Sequence, residues 1–255
     1  MERARPTRFW LWPNLLSLDA PVVAVLWQIL FARCFQAPID APAALLLLLT
    51  VWLIYTADRT LDAWNGACQS PRHEFYRRRW RGLLPAWLAV FGLACWLAAE
   101  HLAPGLLLRG AVLLTAVVVY FGIVHLGRPR WPKEAAVGVL FALGASLVAW
   151  SKVKTPADVA TILLFSGLCW MNCVAIQKWE GDRPDWSPGV AAFWLGCAAA
   201  VLLYADRPVL GGAEMASAFA FVWLGQVRRR LSADALRVLA DVALLSPVLF
   251  LPVLR

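Results

Sequence analysis

The sequence predicts an all-α integral membrane protein with many membrane-spanning helices. Of its 255 residues, 61% are hydrophobic, the mean hydropathy is +0.65, and fifteen are tryptophan. A chain of this composition has too little polar surface for a soluble globule. Its apolar residues also fall into long runs, and a helix of about 17 to 25 apolar residues spans a bilayer. We therefore expect a single membrane domain over residues 1–255.

Nine apolar stretches are candidate transmembrane helices. In chain order they cover residues 19–35, 41–57, 83–100, 105–126, 135–150, 159–177, 189–204, 209–226 and 236–254. The eighth is the weakest, because Gly211, Gly212 and Glu214 fall in its first turns. The fifth and seventh are short for a span, but neighbouring helices in a bundle cover the ends of short helices. The sequence thus predicts a bundle of nine transmembrane helices.

The basic residues are distributed unevenly between the two sets of predicted connections. Eighteen of the 24 Lys and Arg residues precede the first span or follow an even-numbered one, and six fall on the other side. Because cytoplasmic loops are rich in Lys and Arg, we expect a cytoplasmic N-terminus in a bacterial-type inner (plasma) membrane. The acidic loops 58–82 and 178–188 then also face the cytoplasm.

The net charge of +8 is therefore a topology signal. Membrane lipids with anionic headgroups are the expected partners of the basic loops. The basic residues are spread over several loops instead of one soluble recognition helix, so we expect no nucleic-acid partner.

Two aspartates four residues apart form the most informative local feature. Asp58 and Asp62 directly follow the apolar run of the second span. If the helix continues, positions i and i+4 share one face. Hard cations such as Mg²⁺ are held by one or two carboxylates and complete their shell with water and substrate phosphates. The pair therefore predicts a metal site for a phosphate-bearing substrate. The alternative is an acid pair that only solvates a helix end.

A second acidic cluster follows the sixth span. Lys178, Glu180, Asp182 and Arg183 lie there, after a helix that carries Asn172. Ligand sites in helical bundles are built from side chains on facing helices. Two acidic helix ends flanked by Arg and Lys would hold a lipid diphosphate through a bridging metal. The alternative is that these acids are solvated and balance the nearby basic residues.

The other polar residues within the spans carry weaker signals. Asp241 lies inside the ninth span, and an intramembrane acid is a functional candidate. Arg237, four residues earlier, offers a simple ion pair as the alternative. Asp19 at the start of the first span invites the same caution. The six cysteines form no CxxC pair, and the three histidines have no partner at metal-ligand spacing.

Several of these segments resemble the UbiA superfamily of intramembrane prenyltransferases. Residues 15–21 (LLSLDAP) look like the family's opening R-x-D-x-P segment, and residues 58–62 (DRTLD) are similar to the end of its first acidic motif. Residues 132–150 resemble its fifth helix. Residues 172–182 fall where its second acidic motif belongs. The resemblance implies a UbiA-like bundle around a central cavity, in which Mg²⁺ bridges a prenyl diphosphate to two acidic motifs.

The resemblance implies transfer of an isoprenoid to a lipophilic, most simply aromatic, acceptor. Asp58 and Asp62 would then be catalytic and bind the metal, together with Glu180 and Asp182. The residues expected to bind the substrate are Arg59, Asn172, Lys178 and Arg183. Asp241 is a further candidate, which the resemblance does not carry. Candidate aromatic side chains for stabilising an allylic cation are Trp52, Trp64, Trp170 and Tyr120. The alternative for these is placement at membrane interfaces and in bundle cores.

The sequence also departs from the family pattern. Ile54 stands where the first motif has an asparagine, and Trp179 and Arg183 stand where the second motif has its later acidic pair. Two other interpretations stay open for this reason. One is a non-catalytic protein of the same scaffold that binds a lipid, a pigment or a membrane-complex partner. The other is a terpene cyclase, which ionises the same diphosphate without a second substrate.

Overall fold

The computed structural model describes residues 9–65, 71–127, 133–181, 188–203 and 205–254. Within these ranges the chain forms eleven α-helices and short 3₁₀ segments, and no β-strand. The helices are α1 (Trp12–Leu15), α2 (Asp19–Cys34), α3 (Ala41–Asn65), α4 (Pro71–His101), α5 (Pro104–Gly127), α6 (Lys133–Ser146), α7 (Pro156–Gly181), α8 (Pro188–Leu202), α9 (Pro208–Val227), α10 (Ala233–Ala243) and α11 (Pro247–Phe250).

Seven of the described segments are long and apolar enough to cross a membrane, so the chain is a multi-pass membrane protein. They are Ala41–Trp64, Arg79–His101, Pro104–Leu126, Lys133–Lys152, Pro156–Trp179, Pro208–Arg230 and Ala233–Leu254. The other two predicted spans correspond to shorter helices. The N-terminal pair Phe9–Leu15 and Asp19–Cys34 bends by 71° between its halves, and Pro188–Leu202 has only 15 residues. The nine predicted apolar stretches are therefore all helical, but two of them are shorter than a regular span.

The segment assigned to an acidic loop over 58–82 is mostly helical. Helix α3 continues through both aspartates to Asn65, and α4 begins at Pro71. The hydropathy pattern marked where the apolar run ends, but a helix continues wherever its backbone hydrogen bonds continue. The expected loop at 178–188 is likewise shortened, because α7 ends at Gly181. Residues 182–187 lie outside the described part of the chain.

The helices pack against one another, with the closest contacts between consecutive pairs. Helices α6 and α7 pack closely, as do α8 and α9, while α2 contacts α3, α6 and α10. The core around α2 is aromatic, with Trp27 stacked on Phe165 at 4.1 Å between ring centroids. Small residues allow the closest approaches. A Cβ atom on Gly138 of α6 would meet the Ser166 carbonyl oxygen of α7 at 2.7 Å.

Helices α4 and α5 are mostly exposed in the isolated chain. Only 11% of the span Arg79–His101 and 6% of the span Pro104–Leu126 are buried within the protein. Their outward residues are large and apolar, including Leu88, Trp96 and Leu108. A helix that is apolar all round suits a membrane-facing position. Helix α4 packs on α3, and α5 packs on α6.

A polar clamp closes the end of the bundle opposite the two aspartates. Thr155 and Asp158 form a capping box at the start of α7, in which Asp158 Oδ2 accepts from the Thr155 amide at 2.9 Å and Thr155 Oγ1 accepts from the Asp158 amide at 3.2 Å. Arg207, between α8 and α9, contacts Asp158 Oδ1 at 2.6 Å. This ion pair, buried on the Asp158 side, ties the start of α7 to the start of α9.

Candidate functional site

A cavity of about 450 Å³ lies between the helices at the end of the bundle that carries the acidic pair. Its walls come from α2, α3, α5, α6, α7 and α10. The volume falls within the roughly 300–1,000 Å³ of typical small-molecule sites. Most of the predicted site residues that the structure describes line it: Asp58, Arg59, Asp62, Asn172 and Asp241. A bundle interior that gathers this many charged side chains in a membrane protein is a candidate functional site.

Asp58, Asp62 and His125 form a cluster that has the composition of a metal site. One ligand atom from each of the three lies within 4.8 Å of the others, and all three side chains are half-buried. The His125 Nε2 atom lies 3.4 Å from Asp58 Oδ1. The continuous helix α3 explains the carboxylate pair, because positions i and i+4 fall on one face. The predicted shared orientation of the two aspartates is confirmed.

The position of His125 was not expected from the sequence, in which no histidine has a partner at metal-ligand spacing, because the fold brings it beside Asp58 and Asp62. His125 is on the last turns of α5, and 67 residues separate it from Asp58. Ile54, which stands where the related motif has an asparagine, also lines the cavity but offers no ligand atom. His125 offers a third possible ligand atom from another helix. Two carboxylates could hold Mg²⁺, which prefers an all-oxygen shell. An imidazole beside them also suits Mn²⁺, which accepts a nitrogen ligand more readily.

Lys133 and Glu134 add charge to the cavity at the start of α6. Neither was singled out from the sequence as a site residue. An ammonium group in a cavity with a carboxylate pair is placed to contact phosphate oxygens. The first residues of α6 also bring the helix N-terminus toward this part of the cavity, which favours anions. Positive and negative side chains therefore face the same cavity.

The rest of the lining is apolar and aromatic. Tyr55, Tyr120, Phe121 and Phe141 line the cavity, with Cys169 and Cys173 of α7. Of the four aromatic residues suggested from the sequence, Tyr120 lines this cavity. Trp52 donates its indole NH to the Leu16 carbonyl oxygen at 3.0 Å, and Trp64 is largely exposed. Aromatic faces of this kind stabilise a nearby cation by roughly 0.5 to 2 kcal/mol each.

A second polar group occupies the wall formed by α2, α7 and α10. The side-chain amide of Asn14 donates to Asp19 Oδ2 and, at 3.1 Å, to Asp241 Oδ2. The amide of Asn172 donates to Asp241 Oδ1 at 3.0 Å. Asp241 is therefore held by two amides. The sequence suggested an ion pair between Arg237 and Asp241. The ion pair that the structure describes for Arg237 is with Asp234, at 3.3 Å.

Arg59 lines the cavity, but its hydrogen bonds serve the bend between α1 and α2. Its Nη1 atom donates to the Asn14 carbonyl oxygen and, at 2.7 Å, to Ser17 Oγ. Ser17 adopts a left-handed backbone with φ of 56°, and its hydroxyl also lies 2.8 Å from the Tyr76 hydroxyl. Arg59 is 8% exposed. It braces the bend that brings Asn14 and Asp19 together.

The remaining predicted residues lie on or after the last turn of α7. Lys178 is half-buried and does not belong to the described lining of the cavity. Trp179 packs against the apolar core. The Glu180 side chain, Asp182 and Arg183 lie outside the described residues, so their roles as second metal site and phosphate ligand stay predictions.

Comparison with known proteins identifies no relative of this chain. No family model matches it, and neither the curated proteins nor the solved structures contain a match.

Proposed function

We propose that this protein is an intramembrane prenyltransferase that uses Mg²⁺ or Mn²⁺ to transfer an isoprenoid from a prenyl diphosphate to a lipophilic acceptor. The observation that carries the proposal is the combination of the Asp58, Asp62 and His125 cluster with an apolar cavity in one bundle. A charged headgroup and an apolar tail are the two halves of a prenyl diphosphate. The cluster matches the first half, and the aromatic lining matches the second.

The chemistry follows from these groups. A divalent cation, when bound by the carboxylates, neutralises the charge of the diphosphate leaving group. Lys133 contributes further positive charge to phosphate oxygens. The allylic C–O bond breaks, and its electron pair leaves with pyrophosphate. An electron pair of the acceptor then forms the new bond to carbon, and the acceptor loses a proton. Tyr120 and Phe141 shield the allylic cation from water.

The resemblance of residues 15–21 and 58–62 to UbiA-type segments supports the same proposal. On this scaffold the nine apolar helices would form a single bundle, with the bent N-terminal pair and α8 completing it. Orientation by the charge count places the metal cluster near the cytoplasmic face of a bacterial-type inner membrane, where water-soluble Mg²⁺ and pyrophosphate exchange.

Release of pyrophosphate tests the proposal. Purified protein in nanodiscs is given geranylgeranyl diphosphate with Mg²⁺ or Mn²⁺, and the Asp58→Asn, Asp62→Asn double variant is compared with Glu100→Gln, which removes an exposed carboxylate at the end of α4. We expect at least a 100-fold slower release in the double variant, about the loss for one key electrostatic group, and a wild-type rate in the control. EDTA should stop the reaction.

The same assay separates the competing functions. Release that needs a lipophilic phenol indicates a transferase, whereas release without an acceptor and with a cyclised hydrocarbon indicates a terpene cyclase. The aromatic lining is the observation that keeps the cyclase as a second candidate. Folded wild-type protein that releases no pyrophosphate from geranyl, farnesyl or geranylgeranyl diphosphate would refute both and favour a non-catalytic lipid- or pigment-binding protein.

A further inference from the structure

Glu214 of α9 places a carboxyl group in the apolar core of the bundle, outside the central cavity. It lies in the membrane-spanning segment Pro208–Arg230, and its side chain is fully buried. Neither of its side-chain oxygen atoms has a hydrogen-bond partner in the described part of the chain. Glu214 also does not belong to the described lining of the central cavity. The proposed reaction makes no use of this acid, and an acid inside a membrane helix is a functional candidate by default.

Close helix contacts surround this part of α9. A Cβ atom on Gly211 would meet the Ala199 carbonyl oxygen of α8 at 2.8 Å, and one on Gly212 would meet the Phe250 ring of α11 at 2.7 Å. The neighbouring helices therefore approach α9 closely on two sides, one turn before Glu214. An isolated carboxylate in such an apolar interior is so unfavourable that the group takes up a proton instead.

Three of the five helices that pack against α9 offer Glu214 no charged partner. Helices α8 and α11 contain no charged residue, and the Cys197 thiol of α8 is exposed. Residues 228–232 join α9 to α10, and Ser217 Oγ of α9 donates to Ser246 Oγ just after α10, at 2.8 Å. Helix α10 therefore runs beside the part of α9 that follows Ser217, away from Glu214. The charged residues that it carries there are Asp234, Arg237 and Asp241.

The other two helices, α2 and α7, bring titratable groups to the end of the bundle where α9 begins. Cys34 is the last residue of α2, and its thiol interacts electrostatically with both Arg207 and Glu214. Helix α7 contributes Asp158 of the polar clamp. The other basic side chains beside these two helix ends are exposed: Arg33, Lys152 and Lys154.

Arg207 is the cation that shares these surroundings with Glu214. Its Nη2 atom contacts Asp158 Oδ1 at 2.6 Å, and its guanidinium carbon lies 5.7 Å from the centre of the Phe35 ring, at the end of α2. Side chains on a helix lean toward the N-terminus of that helix. The Glu214 carboxyl is therefore directed toward the start of α9, where Arg207 precedes the first residue of the helix.

We infer that Glu214 is a proton-binding site in the membrane core and that Arg207 becomes its counter-ion when the proton leaves. With the proton bound, Glu214 is neutral and Arg207 pairs with Asp158, as in this structure. When the proton leaves, the Glu214 carboxylate draws the guanidinium from Asp158 and opens the polar clamp. Asp158 then keeps its hydrogen bonds from the amides of Lys154 and Thr155. The inference does not depend on the proposed transfer reaction.

Infrared spectroscopy of the detergent-purified protein at pH 7 tests whether Glu214 carries a proton. A protonated carboxyl group has a C=O stretching band that a carboxylate lacks. We expect Glu214→Gln to lose the band of one protonated carboxyl group relative to the wild type. The matched control Glu100→Gln, which removes an exposed acid at the end of α4, should lose none. An unchanged acid band in Glu214→Gln would show that Glu214 is ionised and overturn the inference.

Two variants of the polar clamp test Arg207 as the counter-ion. Asp158→Asn keeps a side-chain oxygen to accept from the Thr155 amide but releases Arg207 from its ion pair. The pH at which the Glu214 band disappears should then fall by at least about one unit, because a nearby positive charge favours the charged form of a carboxyl group. Arg207→Gln should shift it in the opposite direction. A band that depends on pH in the same way in the wild type and both variants would overturn the assignment of Arg207.

The stability of Glu214→Gln gives a second, independent test. Glutamine has the shape of the protonated acid and no charge. In an unfolded chain a glutamate is ionised above about pH 4.3, so unfolding of the wild type at pH 7 releases the bound proton and becomes more favourable as the pH rises. We therefore expect Glu214→Gln to melt at or above the wild-type temperature at pH 7, and the two melting temperatures to converge toward pH 4. A variant that melts below the wild type at pH 7, or does not fold, would show that Glu214 acts as a carboxylate and overturn the inference.

Discussion

At the scale of single residues, the candidate metal centre combines a local pair with a distant histidine. Asp58 and Asp62 are close because they share one helix, whereas His125 reaches them from α5. The isolated histidine carried no signal in the sequence, since its partners are not near it in the chain. The predicted topology places His125 and the acid pair at the same membrane face. That shared position is a weak indication in the sequence that they lie close together.

The first prediction concerns His125 as a ligand. Replacing it with alanine removes one of three ligand atoms, so the affinity of the Asp58 site for Mn²⁺ should fall at least about tenfold, or roughly 1.4 kcal/mol. His101→Ala is the matched control, because His101 packs on Trp96 at the far end of α4. Titration with Mn²⁺ measures the affinity of each variant and of the wild type. Equal affinities in wild type and His125→Ala would exclude His125 from the centre.

The second prediction separates two roles of Arg59, as a substrate ligand and as a brace of the bend. Arg59→Ala leaves the Asn14 carbonyl oxygen and Ser17 Oγ without their donor. We expect a loss of about 2–3 kcal/mol in unfolding free energy, as for a buried hydrogen bond to a charged group. Arg229→Ala, at an exposed position, should change stability by less than about 0.5 kcal/mol.

Thermal unfolding in detergent without any ligand measures the effect of Arg59. A brace acts in the empty protein, whereas a ligand of the diphosphate acts only when substrate is present. Melting of Arg59→Ala at the wild-type temperature would therefore contradict the brace and restore the predicted role as a phosphate ligand.

At the scale of the elements, helix existence was predictable and helix ends were not. The apolar runs identified every long helix, because twenty apolar residues have no stable alternative in a bilayer. The ends depend on backbone hydrogen bonds that polar residues satisfy equally well. Helix α3 thus extends past Asp62 to Asn65, and α4 begins about three turns before its apolar run. The predicted acidic loop was wrong for this reason.

The third prediction concerns the contact between α6 and α7, which forms one wall of the cavity. Gly138→Ala places a methyl group against the Ser166 carbonyl oxygen and the Trp170 amide nitrogen, at 2.7 and 2.8 Å. Since both neighbours are backbone atoms, the helices must separate. We expect a loss of about 1–3 kcal/mol in stability, as for other overpacked sites.

Gly122→Ala on α5 is the matched control for Gly138, because a Cβ there meets no atom within 4 Å. Thermal unfolding in the same detergent compares the two variants. In the control, alanine should be neutral or slightly stabilising, since it is the better helix former. Equal melting temperatures of the two variants would show that α6 and α7 can separate to admit the methyl group without loss of stability.

At the scale of the whole molecule, orientation is the property that most affects function. The charge count predicts that the acidic pair and the cavity residues at the start of α6 face the cytoplasm. The clamp between Asp158 and Arg207 then lies at the opposite face, where it holds the bundle together at the end away from the cavity. Apolar side chains cover the outer surfaces of α4 and α5 between these two ends.

The fourth prediction tests this orientation by labelling introduced cysteines. In a background without the six native cysteines, Trp64→Cys lies on the face of the acidic pair and Asp206→Cys lies at the start of α9. A membrane-impermeant maleimide should label position 64 in inside-out vesicles and position 206 in intact cells. The reverse pattern would invert the topology and place the metal cluster outside the cytoplasm.

The sequence by itself determined the class of the molecule, its apolar helices, and the pair of Asp58 and Asp62. These features are local, because composition and residue spacing along one helix control them. Only the tertiary structure decided which distant groups join that pair. Asn14 meets Asp241 across 227 positions, and His125 meets Asp58 across 67. Contacts of this kind depend on how whole helices pack and bend, and no periodicity in a single chain encodes that packing.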